Sequence, residues 1–280
     1  MIKAKTRKLI KYIAAAILGL ILISIVIFPF YWLVVTSIKN AAEISLIPPN
    51  LWPKSFHVGN YIRIFTNYHM LDFTKNSLVV AIISTAVCSI IGAFAAYPLA
   101  RFPIRFKRTI MFFILSVSMF PSMAVLGPLF LSMRDMGLIN TAGGLILPYT
   151  SFLLPITVWV LTNFFREIPL SLEDAAAIDG CTPFQVFLHV MVPLAIPGVS
   201  TMVILNFISS WNEFLIAYTI TKTSISQTLP IGIVMIQGEY EFPWGYISAA
   251  SVVATVPLII VVLVLQRKVI AGLTAGAIKG

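Results

Sequence analysis

A polar stripe runs through an apolar segment near residue 210. Its side chains recur at i, i+3, i+4 and i+7, which is the spacing of one face of an α-helix. They are Asn206, Ser209, Ser210 and Glu213. Amide, hydroxyl and carboxylate groups are costly at membrane depth unless they face protein or a water-filled cavity. We therefore predict that this face, with the neighbouring Trp211 and Asn212, lines a route for a polyol-like solute.

Other roles remain open for the same helix. An aromatic stripe lies about 120° round it, and rings of this kind either stack on sugar faces or pack against neighbouring helices. Its members are Phe207, Trp211, Phe214 and Tyr218. The two faces cannot both point at one narrow lumen. Glu213 is equally compatible with a structural bond to a neighbouring helix.

Motifs for catalysis and metal binding are absent from the sequence. It contains no G-x-x-x-x-G-K-[ST] to cradle nucleotide phosphates and no G-x-S-x-G or H-E-x-x-H. Its histidines are scattered, and Cys88 and Cys181 lack the spacing of metal ligands. We therefore predict that the chain is not an enzyme and holds neither a metal nor a cofactor.

The composition indicates that most of the chain lies in lipid. Hydrophobic residues make up 59% of the 280 residues and charged residues only 10%, whereas soluble domains carry about a quarter. The net charge of +9 does not indicate a nucleic-acid partner, because the basic residues cluster between apolar stretches instead of forming a stripe interleaved with aromatics.

Long apolar segments determine the fold class. A hydrocarbon core of ~30 Å requires about 20 helical residues, and about six segments satisfy this length. They are residues 12–36, 77–100, 109–133, 143–165, 194–219 and 246–266. We therefore predict an all-α, polytopic membrane protein in which residues 1–280 form one domain. The first segment is too long for the apolar region of a signal peptide and is expected to be an uncleaved span.

The positions of Lys and Arg predict the orientation. If the N-terminus is inside, most of the 19 basic residues lie in inner segments, so the positive-inside rule favours two cytoplasmic termini. Residues 166–193 then form the longest cytoplasmic loop, and residues 267–280 form a cytoplasmic tail.

The loop 166–193 carries signals for a first short helix. Ser171 can cap it, with Asp174 three residues later as the acidic partner of a capping box. Gly180 ends it by supplying the left-handed backbone that side chains with a Cβ resist.

A second short helix follows at once. Thr182 is its predicted cap, Pro183 occupies the first helical position and Gln185 completes another capping box. Apolar residues then follow on one face, namely Phe184, Phe187, Val190 and Met191. The periodicity fits a docking projection and a well-capped connector equally well.

The same loop resembles the EAA loop of ABC importer permeases. Asp174-Ala-Ala-Ala-Ile-Asp-Gly180, followed after nine residues by Val190-Met191-Val192-Pro193, has the spacing of EAA, three residues, Gly, nine residues and I-x-L-P. Asp174 stands where the family has Glu. Further stretches resemble the maltose and oligosaccharide branch, in particular its MalG-like members. They are Gly144–Tyr149, Phe164–Pro169, Ser210–Leu215 and Gly272–Gly280.

This resemblance implies roles for two cytoplasmic segments. In the family the loop is a coupling helix that sits in a groove of the ATP-binding subunit. The matching residues are Glu173, Asp174, Ala175, Ala176, Asp179, Gly180, Phe184 and Phe187. The C-terminal tail of MalG-like members reaches into the ATPase dimer. The matching residues are Thr274, Ala275, Gly276 and Lys279.

The resemblance also implies partners and a location. It predicts a permease subunit of an importer for a sugar or oligosaccharide in the cytoplasmic membrane of a bacterium or archaeon. A second permease chain forming a heterodimer, two ATP-binding subunits that hold ATP and Mg²⁺, and an external solute-binding protein would complete the assembly.

Three alternatives stay open. The solute could be glycerol phosphate or a related polyol ester. The chain could be a self-sufficient ion-coupled transporter that uses Glu213 as its coupling carboxylate. It could also be a membrane-embedded sensory subunit that transports nothing.

Overall fold

The computed structural model describes residues 2–236 and 242–277, with side chains for residues 11–236, 242–267 and 269. No strand occurs in this part of the chain, and helices joined by short turns make up its regular structure. The predicted all-α fold is confirmed.

Long helices account for most of the chain. They are α1 (Ile2–Ser37), α4 (Met70–Arg101), α7 (Ala142–Glu167) and α14 (Trp244–Ala277). Intermediate helices are α5 (Lys107–Ser118), α6 (Ser122–Asp135) and α11 (Ile196–Trp211). Short helices are α2 (Ala41–Ile44), α3 (Gly59–Asn67), α8 (Leu170–Ile178), α9 (Pro183–Val186), α10 (Val192–Leu194), α12 (Leu215–Ile220) and α13 (Leu229–Met235). A π-helical turn, Phe187–Met191, joins α9 to α10.

The helices fit a chain that crosses the membrane several times. Four of the described helices are long and apolar enough to span it, and the number rises to six if each of two bent helix pairs counts as one span. One pair, α5 with α6, bends by 86°. The other, Pro183–Leu194 with α11, bends by 74°.

Prolines explain both bends. Pro121 lies between α5 and α6, and its own ψ of 121° is extended and ends the helical path there. Its ring also disfavours helical backbone in the preceding Phe120. At the second bend, Pro193 and Pro197 lack the N–H groups that would continue the ladder, and the chain forms a π-helical turn at Phe187–Met191 just before them. The third predicted span is therefore broken and not a straight helix.

The predicted continuous span at 194–219 is wrong. Helix α11 ends at Trp211 and α12 begins at Leu215, so Glu213 does not extend the helical stripe that Asn206 begins. The carboxylate of Glu213 accepts the backbone N–H groups of Ile216 and Ala217, at 2.8 and 3.0 Å. A side chain that bonds these amides starts a new helix in place of continuing the old one.

The chain divides into two compact units. One comprises Met1–His69 and Met235–Thr255, and the other comprises Met70–Val234 and Val256–Gly280. In the second unit α4 packs against α7 and α11. The α4–α7 contact is close, because a Cβ on Gly92 would lie 2.6 Å from Cγ2 of Thr157. This helix trio is the frame on which the candidate site is built.

Candidate functional site

The first arm of the hairpin formed by residues 170–194 begins earlier than its sequence predicts. Helix α8 starts at Leu170 with the extended Pro169 as its N-cap, so Ser171 lies inside the first turn and the predicted Ser171 cap is wrong. At the other end Gly180 has φ of +86°, as predicted for a terminating glycine. The N–H of Gly180 donates to Ala177 and that of Cys181 to Ala176, at 3.1 and 3.0 Å. These bonds close the turn between the arms.

The capping box of the second arm is present. The Thr182 hydroxyl accepts the Gln185 N–H at 3.4 Å, and the Gln185 side chain accepts the Thr182 N–H at 2.8 Å. The apolar face predicted beyond it differs from the observed one. Phe187 and Met191 are buried, but Phe184 is 59% exposed. The π-helical turn changes the register after Val186, so a face extrapolated with α-helical period is rotated.

A buried ion pair ties the first arm to α4. The carboxylate of Glu173 pairs with the guanidinium of Arg101, and their side chains are 14% and 7% exposed. The Tyr97 hydroxyl donates to the other carboxylate oxygen at 3.0 Å. A second guanidinium nitrogen donates to the Ile168 carbonyl at 2.6 Å. Glu173, which the family resemblance places among the partner-facing residues, therefore makes its contacts within the chain.

An aromatic cluster anchors the second arm. Phe187, 4% exposed, lies with its ring centroid 5.0 Å from Phe94, 5.1 Å from Tyr97 and 6.2 Å from Phe165. Tyr97 meets Phe165 edge-on at 6.0 Å. Because these rings come from α4, α7 and the π-helical turn, they fix the hairpin against the ends of two long helices.

The predicted partner-facing residues therefore divide into two sets. Asp174, Ala175, Asp179, Gly180 and Phe184 are exposed. Glu173, Ala176 and Phe187 face the interior of the chain to different degrees, with Ala176 9% exposed. The exposed surface of the hairpin also carries large apolar side chains that the sequence analysis did not single out. They are Leu170, Leu172, Ile178 and Leu188.

A polar core joins α4, α7 and α11. Asn206 is 1% exposed, and its amide nitrogen donates to the Thr157 hydroxyl at 3.0 Å. Thr157 in turn donates to the Leu153 carbonyl at 2.8 Å, and the Cys88 sulfur lies 3.3 Å from the same hydroxyl. Asn206 therefore bonds inside the chain, between three helices.

The other residues proposed for a solute route differ in exposure. Ser210 and Trp211 are buried, with 5% and 2% exposed, whereas Ser209 and Asn212 are exposed. Trp211 stacks on Phe207 with ring centroids 5.8 Å apart, so its ring packs within the bundle. Asn212 lies at the break after α11, beside Glu213.

Glu213 lies at the centre of that break. It is partly buried, and besides the two amides of α12 its carboxylate accepts the hydroxyl of Tyr149 at 2.7 Å. Tyr149 belongs to α7 and is 2% exposed. Glu213 therefore joins the start of α12 to α7, a role that the sequence analysis allowed.

The predicted tail contact falls at the limit of the described chain. Thr274, Ala275 and Gly276 lie within α14, but their side chains are outside the described set. Lys279 lies outside the described residues. The role of the tail stays a prediction.

The thiols and carboxylates do not assemble into a metal site in the part of the chain that the structure describes. Cys88 is buried and Cys181 partly exposed, and both are free. Groups of three or more His, Cys, Asp or Glu side chains that could hold a metal ion do not occur among the residues whose side chains are described, 11–236, 242–267 and 269.

Several residues of this site have no local sequence signal. Arg101 stands in a basic run that the positive-inside rule alone explains, and Tyr97 and Thr157 are unremarkable within apolar segments. The partners Glu173 and Asn206 carry signals of their own, but pairing them requires the helix packing. A polar residue inside a span is the one sequence cue that points to such bonds.

Comparison with known proteins gives one consistent match. Residues 88–274 match the family model described as binding-protein-dependent transport system inner membrane component. The chain is 42% identical over 276 residues to the sulfoquinovosyl glycerol transport system permease protein SmoH of Agrobacterium fabrum, covering 98% of this chain and 94% of that protein. It is 40% identical over 267 residues to the trehalose transport system permease protein SugB of Mycobacterium tuberculosis, covering 95% and 97%.

A solved structure agrees with the sequence matches. A chain of a bacterial ABC transporter involved in the import of the acidic polysaccharide alginate superposes with a TM-score of 0.78 at 25% identity, covering 92% of this chain and 96% of that chain. The overall fold of this chain therefore recurs in that transporter chain.

We predict that Glu213→Ala destabilises the protein. The change removes the acceptor of Tyr149 and of two α12 amides, and leaving such groups unpaired costs about 1–3 kcal/mol. Thermal unfolding in detergent measures it. Asp135→Ala, which removes an exposed partner of Arg134, is the control and should cost under about 1 kcal/mol. Equal melting points for the two variants would contradict a structural role for Glu213.

Proposed function

The chain belongs to the family of binding-protein-dependent transport system inner membrane components, and on this premise we propose that it forms half of the translocation pathway of an ATP-driven sugar importer. The resemblance to ABC importer permeases found in the EAA-like loop agrees with this family. The observation that carries the proposal is the hairpin 170–194, whose inner side is fixed in the bundle while its tip is exposed.

The exposed side of the hairpin has the chemistry of a docking surface. Ile178 is 86% exposed, Leu170 61% and Phe184 59%, and Asp174 and Asp179 stand among them. Apolar side chains of this size on a rigid projection favour burial in a partner's groove, and the two carboxylates favour basic residues at its rim. We assign this surface to an ATP-binding subunit on the cytoplasmic side. The tail 267–280 is a second contact with it.

The energy source follows from the same assignment. The sequence has no phosphate-binding loop, so ATP and Mg²⁺ belong to two partner ATP-binding subunits. Closure of those subunits would displace the hairpin, and the hairpin would reorient α4 and α7, to which its arms are attached. The chain itself performs no chemistry in this scheme; it converts a displacement into alternating access.

The break between α11 and α12 is the best candidate for a pathway wall. Non-helical backbone at membrane depth is tolerated where it is buried in protein or lines a water-filled cavity, and transporters use such breaks for solute sites. Asn212 and Ser209 are exposed there and offer amide and hydroxyl partners to a solute. Asn206, Ser210 and Trp211 would support this wall from inside the bundle, and Glu213 would hold its shape.

We assign the solute to the sugars and their glycosides. The relatives at 42% and 40% identity are named for sulfoquinovosyl glycerol and trehalose. Glycerol phosphate or a related polyol ester is the alternative solute that the family resemblance implies. An external solute-binding protein and a second permease chain complete the assembly, in the cytoplasmic membrane of a bacterium or archaeon with both termini inside.

Replacing Gly180 with valine tests the docking surface. A β-branched residue at φ of +86° strains the turn, by roughly 1–2 kcal/mol, and tilts the exposed arm. We expect Gly180→Val to lose at least about tenfold in affinity for the ATP-binding subunits, measured by co-purification and titration.

Gly137→Val provides a matched control. Gly137 has φ of +71°, lies in open space like Gly180, and closes the same kind of turn, with Leu138 N–H donating to Met133 at 2.8 Å. Its strain is therefore comparable, but its turn follows α6 and not α8. Equal loss of ATP-binding subunits in the two variants would contradict docking at the hairpin.

Uptake assays in cells distinguish ATP-driven from ion-coupled transport and identify which solute the chain transports. Cells that lack the chain should fail to accumulate the solute, and restoring the chain should restore uptake from a panel of a disaccharide, an acidic glycoside and glycerol phosphate. We expect depletion of ATP to abolish uptake while a protonophore at constant ATP does not. The reverse pattern, with Glu213→Gln inactive, would identify an ion-coupled transporter.

A further inference from the structure

The hairpin 170–194 is attached to the helix bundle at two places of different strength. Its second arm buries Val186, Phe187 and Met191, whereas α8 buries only Ala176. A single methyl group offers little apolar surface, about 1 kcal/mol or less on transfer from water. Apolar packing therefore holds the second arm and leaves α8 without an apolar anchor of its own.

The contact that α8 does make with α4 is polar and closed to water. The carboxylate of Glu173 pairs with the guanidinium of Arg101, and the hydroxyl of Tyr97 donates to its other oxygen. A buried carboxylate paired with a guanidinium resists separation, because parting them leaves two uncompensated charges out of water. An ion pair and a hydrogen bond therefore hold α8 against α4, and buried apolar surface contributes little.

The same guanidinium also fixes the entry to α8. Arg101 donates to the carbonyl of Ile168 at 2.6 Å, in the link between α7 and α8. Arg101 is the last residue of α4, so one side chain joins the end of α4, the end of α7 and the body of α8. A displacement of α8 is then shared by both long helices.

We propose that Glu173 is a positioning residue that transmits movement of α8 to α4 through Arg101 and Tyr97, and that it makes no direct contact with the ATP-binding subunit. This inference rests on the proposed function, since it assumes that an ATP-binding subunit moves the hairpin. It divides the hairpin into a docking side, with Asp174, Asp179 and Ile178, and an anchoring side on Glu173. Removing the Glu173 carboxylate should therefore uncouple α8 from α4 without releasing the ATP-binding subunit.

The test measures the distance from α8 to α4 in the assembled transporter. Spin labels are placed at Ser171 on α8 and at Ile82 on α4, two exposed positions, after partly exposed Cys181 is replaced by serine. Distances are measured by pulsed electron resonance without nucleotide and after trapping with ATP and vanadate. With Glu173 intact we expect the same narrow distribution in both states. With Glu173→Gln we expect trapping to shift or broaden it by about 2–5 Å.

Companion variants exclude a folding defect as the cause. Exchanging the two charges, with Arg101→Glu and Glu173→Arg together, should restore much of the narrow distribution. Tyr97→Phe keeps its ring in the aromatic cluster and the ion pair intact, so its effect should be smaller. Glu167→Gln, which neutralises an exposed carboxylate at the end of α7, should match the unsubstituted chain.

The outcomes separate this inference from the proposed function. Glu173→Gln should retain the ATP-binding subunits as fully as Glu167→Gln does, unlike Gly180→Val. If it releases them as Gly180→Val does, Glu173 is a docking residue and the inference is overturned. If trapping leaves the distance distribution of Glu173→Gln as narrow and unshifted as that of the unsubstituted chain, the inference is overturned too. A chain with Glu173 intact that retains no ATP-binding subunit overturns the proposed function, and the inference with it.

Discussion

A hydrocarbon bilayer offers no hydrogen-bond partners, so the peptide groups and polar side chains of this chain that lie at membrane depth need partners within the protein. The polar core around Thr157 meets this need for Asn206, and the carboxylate of Glu213 meets it for the backbone at the start of α12. Because these bonds run between helices, they also fix the bundle. Asn206 and Glu213, which their polarity makes candidates for contacting solute, are therefore also residues that the fold requires.

Because hydrogen bonds between the helices fix the middle of the bundle, we place the movement that drives transport at the ends of the helices. The hairpin 170–194 contacts the ends of α4 and α7 through an aromatic cluster and one buried ion pair, while its tip is exposed. Close-packed rings transmit displacement because they have little free volume to absorb it. A projection that is rigid at its base and apolar at its tip is suited to receive force from a partner and pass it to the spans.

Local signals predicted more of this structure than long-range ones. The capping box at Thr182 and the left-handed turn at Gly180 follow from residues within four positions of each other, and both are present. The Ser171 cap failed because Pro169 already takes the extended geometry of an N-cap. The inward position of Glu173 depends on Arg101 and Tyr97, which lie far away in sequence, so it requires the helix packing. The end of α11 before Glu213 has a local cause in the bonds from Ile216 and Ala217, but the apolar periodicity of the segment does not reveal it.

Photo-crosslinking from Ile178 tests whether the hairpin tip docks on an ATP-binding subunit, because this side chain is 86% exposed there. A photoreactive amino acid replaces Ile178 in the chain expressed in its own cells, and mass spectrometry identifies the crosslinked peptide. We predict a crosslink to a subunit that carries a phosphate-binding loop, at a yield that changes when nucleotide is trapped. Crosslinks confined to lipid, or to a protein without nucleotide-binding motifs, would contradict the account.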